Sequence, residues 1–337
     1  MRKIAALLLM VSLAVSAVGC TKTAYTALDY FSFTENAYYE YEGDGHELAA
    51  MQTYTGYVRD GRLQRRNSVN EDYPAQTEIF EYKNGTITNI RADVSTYYIE
   101  DATFLPAVMD LPVLREPIEQ GAEWGTRDGN KFKITAVNKR VTVPYGTFNV
   151  IEVTQEIPGL NIMQKDYYAP GVGLIETRYS ISDGPWIISR LKNITKDISV
   201  DIPALAYYPD PDDGEIYERV SSITIKTNGD IKAEIEKLLT SRSPDGAYDA
   251  LLSKGKINSI TVERANDTSE SFALIDFSPE VYEINDSETA EYNWLYAVGN
   301  TVGAAYGVAY VCVWVDGGPF SGTFVQLTVF DMIAVGD

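Results

Sequence analysis

The hydrophobic pattern of this chain changes its period once, near residue 200, and that change constrains the fold more than any single motif does. Between about residues 30 and 193, short tyrosine-rich and β-branched runs alternate apolar with polar positions and are separated by turn signals. Residues 76–82 (QTEIFEY) are followed by Lys83-Asn84-Gly85 and then by a second run at 86–91 (TITNIR). Asn-Gly between two such runs predicts a hairpin, because both central residues of a type I′ turn need positive φ. The same alternation recurs at 131–137, 150–156 and 173–179, and no segment of this region has helical spacing. A mostly antiparallel sheet follows, rolled as a half-barrel or stacked as a sandwich, with alternate residues facing a core.

Beyond a linker at 196–203 the spacing becomes mixed. Residues 219–227 alternate as a strand, and Asn228-Gly229-Asp230 offers a helix cap. Ile231, Ile235, Leu238 and Leu239 then fall on one helical face. A short helix is expected at 247–252, strands at 257–263 and 272–277, and a long helix at 288–306. Tyr292, Leu295, Val298, Val302 and Ala305 form the stripe of that helix, and Gly307 stands as its C′ residue. Closing strands are expected at 308–316 and 323–330, around Gly317-Gly318. The length exceeds one average domain, so the expectation is a β domain at 30–198 and a small α+β domain at 199–337, giving an α+β chain.

The first twenty residues fix where such a chain works. Arg2 and Lys3 precede an uncharged, mostly apolar run at 4–18, which ends in Ala17-Val18-Gly19-Cys20. That is a secretory signal peptide at 1–19 in size and polarity, and the run falls short of the roughly 20 apolar residues a spanning helix needs. Its end resembles the lipobox of bacterial lipoproteins, with Ala17 where that family most often has Leu. The resemblance implies a lipidated Cys20, a tether at 20–29, and an extracytoplasmic chain anchored to the membrane. Two or three acyl chains hold firmly, since each buried methylene contributes about 0.8 kcal/mol and one chain alone is marginal.

Charge and composition exclude several classes. The formal net charge of −20 becomes −22 once Arg2 and Lys3 leave with the signal, and such a surface repels nucleic acid and anionic headgroups. Cys312 lies in an apolar run and reads as a buried structural thiol. His46 is the single histidine, which excludes the common zinc sites and leaves no Ser/His/Asp or Cys/His constellation. The acidic run 210–215 (DPDDGE) fails the EF-hand pattern and reads as a solvated turn, as does the cluster around Asp44 and Glu47. Ser189 and Lys192 have the S-x-x-K spacing, and Ser182-Asp183-Gly184 is placed like a second motif of the penicillin-interacting enzymes. Those enzymes open a helix with S-x-x-K, whereas this run reads as a strand. A glycosidase would need a carboxylate pair, and nothing in the sequence selects one. Trp294 and Trp314 are expected to pack, and Trp186 to stand exposed beyond the Asp183-Gly184-Pro185 turn. No catalytic residue, metal or cofactor is expected.

Two resemblances complete the reading. Residues 143–153 (VPYGTFNVIEV) and 167–176 (YYAPGVGLIE) resemble hairpins of β-rich domains in bacterial envelope lipoproteins. In the second half the features are the opening at 205–210 (LAYYPD), the helix with Leu238-Leu239, and the strand ending Ile275-Asp276-Phe277-Ser278. With Gly299-Asn300-Thr301 and the strand at 311–317, they resemble the GerMN domain of spore germination and sporulation proteins. The resemblance implies a module that associates with other envelope proteins and brings no catalytic set. The expected function is a non-enzymatic, membrane-anchored protein-binding or scaffold module. The alternatives are a carrier of a hydrophobic or glycan ligand in the β domain, recognisable by a continuous apolar cavity, and a cell-wall hydrolase or its regulator.

Overall fold

The computed structural model describes residues 25–69, 75–94, 101–263, 271–283 and 287–336. Its first half is one antiparallel sheet of twelve strands. They are β1 (Tyr38–Asp44), β2 (Met51–Arg59), β3 (Arg62–Ser68), β4 (Gln76–Lys83), β5 (Thr86–Val94), β6 (Leu111–Arg115), β7 (Glu123–Gly125), β8 (Lys131–Val143), β9 (Gly146–Ile157), β10 (Ile162–Ala169), β11 (Gly173–Ile181) and β12 (Ile187–Thr195). Two meanders, β1 to β6 and β7 to β12, are joined where β1 pairs with β12. The Asn84-Gly85 hairpin forms as expected, both residues at positive φ, and Asp60-Gly61 makes the equivalent turn between β2 and β3.

The sheet rolls until its two arms face each other. Leu63, Phe80, Ile87 and Leu114 from one arm pack against Trp124, Phe132, Ile134, Ile151 and Val153 from the other. At the free edges the Trp124 indole N–H donates to the Pro112 carbonyl at 2.6 Å, so β7 meets β6 through a side chain rather than a ladder. The result is a nearly closed half-barrel. A single helical turn, α1 (Ala27–Tyr30), contributes Ala27 and Tyr30 to this core. Ala27, expected in the tether, is therefore part of the folded body.

The second half carries its own core. β13 (Val200–Pro209) and β14 (Ile216–Ile225) pair along their whole length. A second sheet holds β15 (Ile257–Glu263) antiparallel to β16 (Phe272–Phe277), which runs parallel to β17 (Tyr310–Val315). The short strands β18 (Gly318–Pro319) and β19 (Ile333–Ala334) both pair with β17. Two helices, α2 (Ile231–Thr240) and α3 (Glu288–Tyr306), begin and end where the spacing predicts. Asp230 caps α2 by accepting from the Lys232 N–H, Ser287 caps α3 by accepting from the Ala290 N–H, and Gly307 stops α3 at φ 60°.

Two expected elements are absent. Residues 247–252 form no helix, because their backbone groups have partners elsewhere: Tyr248 N–H donates to Ser243 Oγ and Leu252 N–H to the Leu239 carbonyl, while Gly246 takes positive φ. Leu251 and Leu252 are buried as irregular chain, so their apolar character reflects packing rather than helical period. Residues 323–330 form no strand either. The N–H groups of Thr323, Phe324 and Val325 all donate to the Glu291 carboxylate, and β19 takes the place beside β17 instead.

Candidate functional site

Cys20, the residue assigned to lipidation, lies outside the described residues. The remaining candidates are visible, and most resolve into structure. The acidic run 210–215 is the turn of the β13–β14 hairpin: Asp212 N–H donates to Asp210, Glu215 N–H to Asp213, and the Asn293 amide of α3 donates to the Gly214 carbonyl. Its carboxylates thus hold their own turn. His46 caps a short 3-10 turn by accepting from the Leu48 N–H. Ser189 and Lys192 sit on β12 with opposite parity, the former buried and donating to the Ala49 carbonyl, the latter exposed. They cannot act as a pair. Cys312 is buried on β17, and burial pushes its thiol pKa up. Trp294 is buried and donates to the Leu251 carbonyl, whereas Trp186 is 36% exposed beneath the Lys165 ammonium.

The inside of the half-barrel is partly polar. Arg65 of β3 reaches Glu78 of β4 at 2.8 Å and lies 4.6 Å from the centre of the Phe80 ring. Asn67 and Asn89 donate to the same carboxylate, yet Arg65 Nε and Asn67 Oδ1 remain buried without a partner. Across the lumen Asp166 accepts from Thr177 at 2.6 Å and from Gln164 at 3.0 Å, and burial raises its carboxyl pKa. The hollow beside Arg65, lined by Tyr39, Tyr41, Thr53 and Thr55, measures about 30 Å³. That is room for a water or two, against the roughly 300–1,000 Å³ of a ligand pocket. Larger hollows are open surface grooves, about 460 Å³ beside the loop 115–124 and about 300 Å³ beside the start of α2.

Two further features escaped the sequence reading. The first is a polar junction between the halves, built by the turn before α2. Thr227 Oγ donates to the Thr55 carbonyl at 2.7 Å and accepts from the Asn36 N–H at 2.6 Å. Thr227 N–H returns a bond to Asn36 Oδ1, Asn228 Oδ1 accepts from Val58 N–H, and Asn228 N–H donates to the Gly56 carbonyl. The Tyr54 hydroxyl reaches the Ile198 and Ile225 carbonyls. The second is aromatic and apolar exposure on the C-terminal half. α3 presents Tyr292, expected on its apolar stripe, and Tyr296, one turn apart, at 45% and 38% exposure, while Leu295, Val298, Val302 and Ala305 of that stripe are buried. The segment after β18 exposes Phe324, Val329, Phe330 and Met332. Alternation in that segment suggested a buried strand face, so nothing in the pattern marked it as surface.

Residues 205–320 match the family model described as Germane: Sporulation and spore germination. No curated protein matches the sequence. Among solved structures, a candidate exported protein with a YmcC-like fold from Bacteroides fragilis is 13% identical, over 50% of this chain and 99% of that one, with a TM-score of 0.30. The tandem GerMN domains of the sporulation protein GerM from Bacillus subtilis are 16% identical, over 40% of this chain and 45% of that one, with a TM-score of 0.28. A candidate lipoprotein from Parabacteroides distasonis is 14% identical, over 49% of this chain and 98% of that one, with a TM-score of 0.29.

Proposed function

We propose that this chain, whose C-terminal domain is of the GerMN type, is a non-enzymatic envelope lipoprotein that presents that domain to protein partners in a sporulation or germination assembly. The observation that carries the reading is the outer face of α3. Twelve of the nineteen residues of this helix are buried, yet Tyr292 and Tyr296 stand one turn apart in solvent, and paired aromatics on a rigid element make effective anchors for a protein surface. The polar junction fixes the domain to the half-barrel, and Cys20, once acylated, holds both at the membrane. The interior of the half-barrel, with space for little more than water, supports a supporting body rather than a carrier.

The test is crosslinking and capture of the full chain from its own membranes, beside Tyr292→Ser with Tyr296→Ser and beside Cys20→Ala. A fixed set of envelope proteins recovered with the wild type, and lost with the tyrosine variant, supports the reading. An unchanged set with that variant removes α3 as the contact. Retention of the Cys20→Ala chain in the membrane fraction removes the lipid anchor.

A further inference from the structure

Charge is divided unevenly along this chain. Residues 131–196, which hold β8 to β12, carry nine lysines and arginines against five carboxylates, whereas residues 265–337 carry eleven carboxylates and no lysine or arginine. On the outward face of the half-barrel the register sets Lys133, Thr154, Lys165 and Arg178 side by side across four neighbouring strands. Lys165 and Arg178 are direct cross-strand partners, an arrangement that destabilises a sheet unless something anionic compensates. Compensation within the chain is incomplete. Lys133 pairs with Glu123, and Arg178 and Arg190 share Glu176, with Asp44 a second partner of Arg190 at 3.6 Å, but Lys165 makes no salt bridge among the described residues, its ammonium lying over the Trp186 ring instead.

Apolar surface adjoins this cationic row. Trp186 and Met163 are exposed beside it, and Leu160 and Ile181 stand in neighbouring turns tied together by the Ser182 N–H to Asn161 carbonyl bond. The opposite combination exists on the GerMN-type domain. Phe330 is 86% exposed, with Val329 and Met332 beside it, on the stretch of chain that has only carboxylates for charge. Both apolar patches are open in the same molecule, so they do not cover each other within one chain.

We propose that the Phe330 loop of one copy docks on the Trp186 and Lys165 surface of the next, giving head-to-tail self-assembly. The two surfaces are complementary twice over, apolar centre to apolar centre and the Asp331 carboxylate next to Phe330 to the basic row, and complementary potentials fix orientation as well as attraction. Because the contacting patches differ, the contact is heterologous, and a joined pair keeps one free surface of each kind, one on each copy. This assembly is independent of the tyrosine face of α3, and purified protein alone tests it.

The experiment is sedimentation velocity of the full chain carrying Cys20→Ala, so that no lipid is attached, over a wide range of protein concentration. Association that grows with concentration and weakens with salt is expected. Phe330→Asp on one side, and Lys165→Glu with Trp186→Ser on the other, should each lower the association constant about tenfold or more, as loss of an interface anchor does. Mixing the two variants should restore a one-to-one complex and nothing larger, because each retains the half the other lacks. Should Phe330→Asp not fold by circular dichroism, Met332→Asp replaces it. A monomer at every concentration, association that neither variant changes, or a mixture that stays monomeric overturns the proposal. Monomers that bind an acidic foreign protein at Trp186 also overturn it, and reassign that surface.

Discussion

Glu291 shows how one side chain can decide the conformation of a segment thirty residues away. It is 2% exposed, and its carboxylate accepts from the N–H groups of Thr323, Phe324 and Val325 at 2.9, 3.0 and 2.6 Å. Glu291→Ala leaves three donors without that acceptor and should cost about 2–4 kcal/mol in urea unfolding, since each unpaired buried group forfeits its hydration. Glu291→Gln keeps an acceptor oxygen and should lose less; equal losses would mean that charge, not acceptance, matters. Asp166 makes a pH prediction. Burial raises its folded-state pKa above the unfolded value of about 3.9, so the folded chain holds that proton more tightly than the unfolded one. The resulting stability is complete below the unfolded value and is lost as pH rises through the raised folded value. Asp166→Asn keeps an acceptor for Thr177 and removes the buried charge, so it should be more stable than the wild type at neutral pH. The difference should shrink towards pH 4 in a series of melts, and an Asn variant less stable at neutral pH would overturn this account.

At the scale of elements, α3 and β19 illustrate close packing that needs glycine. A Cβ on Gly299 would meet Ile333 Cγ2 at 2.7 Å and one on Gly303 would meet Val335 Cγ2 at 2.2 Å, so the two glycines form a flat seat for the last strand. Gly303→Leu should expel that strand and destabilise by about 1–3 kcal/mol, the usual cost of overfilling a packed contact. Hydrogen exchange at Val335, whose N–H donates to the Ala309 carbonyl, should accelerate while exchange in β16 changes little; undisturbed exchange at Val335 would refute the seat. Much of this layer was legible from sequence. The strands of the meanders, the Asn84-Gly85 turn, the cap of α2 and the Gly307 stop depend on neighbouring residues, and local chemistry settles them. The failures at 247–252 and 323–330 share another cause: the Leu239 carbonyl and the Glu291 carboxylate capture backbone donors of those segments, and a partner beyond the reach of a helical turn leaves no period to read. The lumen pair of Arg65 and Glu78 was hidden for the same reason, because only the rolled sheet shows which alternate residues face inward.

For the whole molecule, the question is whether the half-barrel and the GerMN-type domain behave as one body. The junction carries a network of hydrogen bonds, and Thr227, 8% exposed, is its centre: its hydroxyl both donates to the Thr55 carbonyl and accepts from the Asn36 N–H. Thr227→Val keeps the volume and removes both bonds, leaving a buried carbonyl and a buried N–H unpaired at a cost of about 2–4 kcal/mol. Asn228→Gly keeps the positive φ that this turn requires, Asn228 lying at 59°, and deletes the acceptor for Val58 N–H together with the amide donor to Glu35. Each half has its own apolar core, so neither needs the other to bury its hydrophobic surface. The loss should therefore appear as lost coupling rather than as global unfolding. Calorimetry of the wild type should give one cooperative transition, and the double variant two, the domains melting separately. Two transitions already present in the wild type would mean that the junction positions the domains without joining their stability. A single transition that merely moves down in the double variant would mean that the coupling runs through the β-strand linker rather than through Thr227.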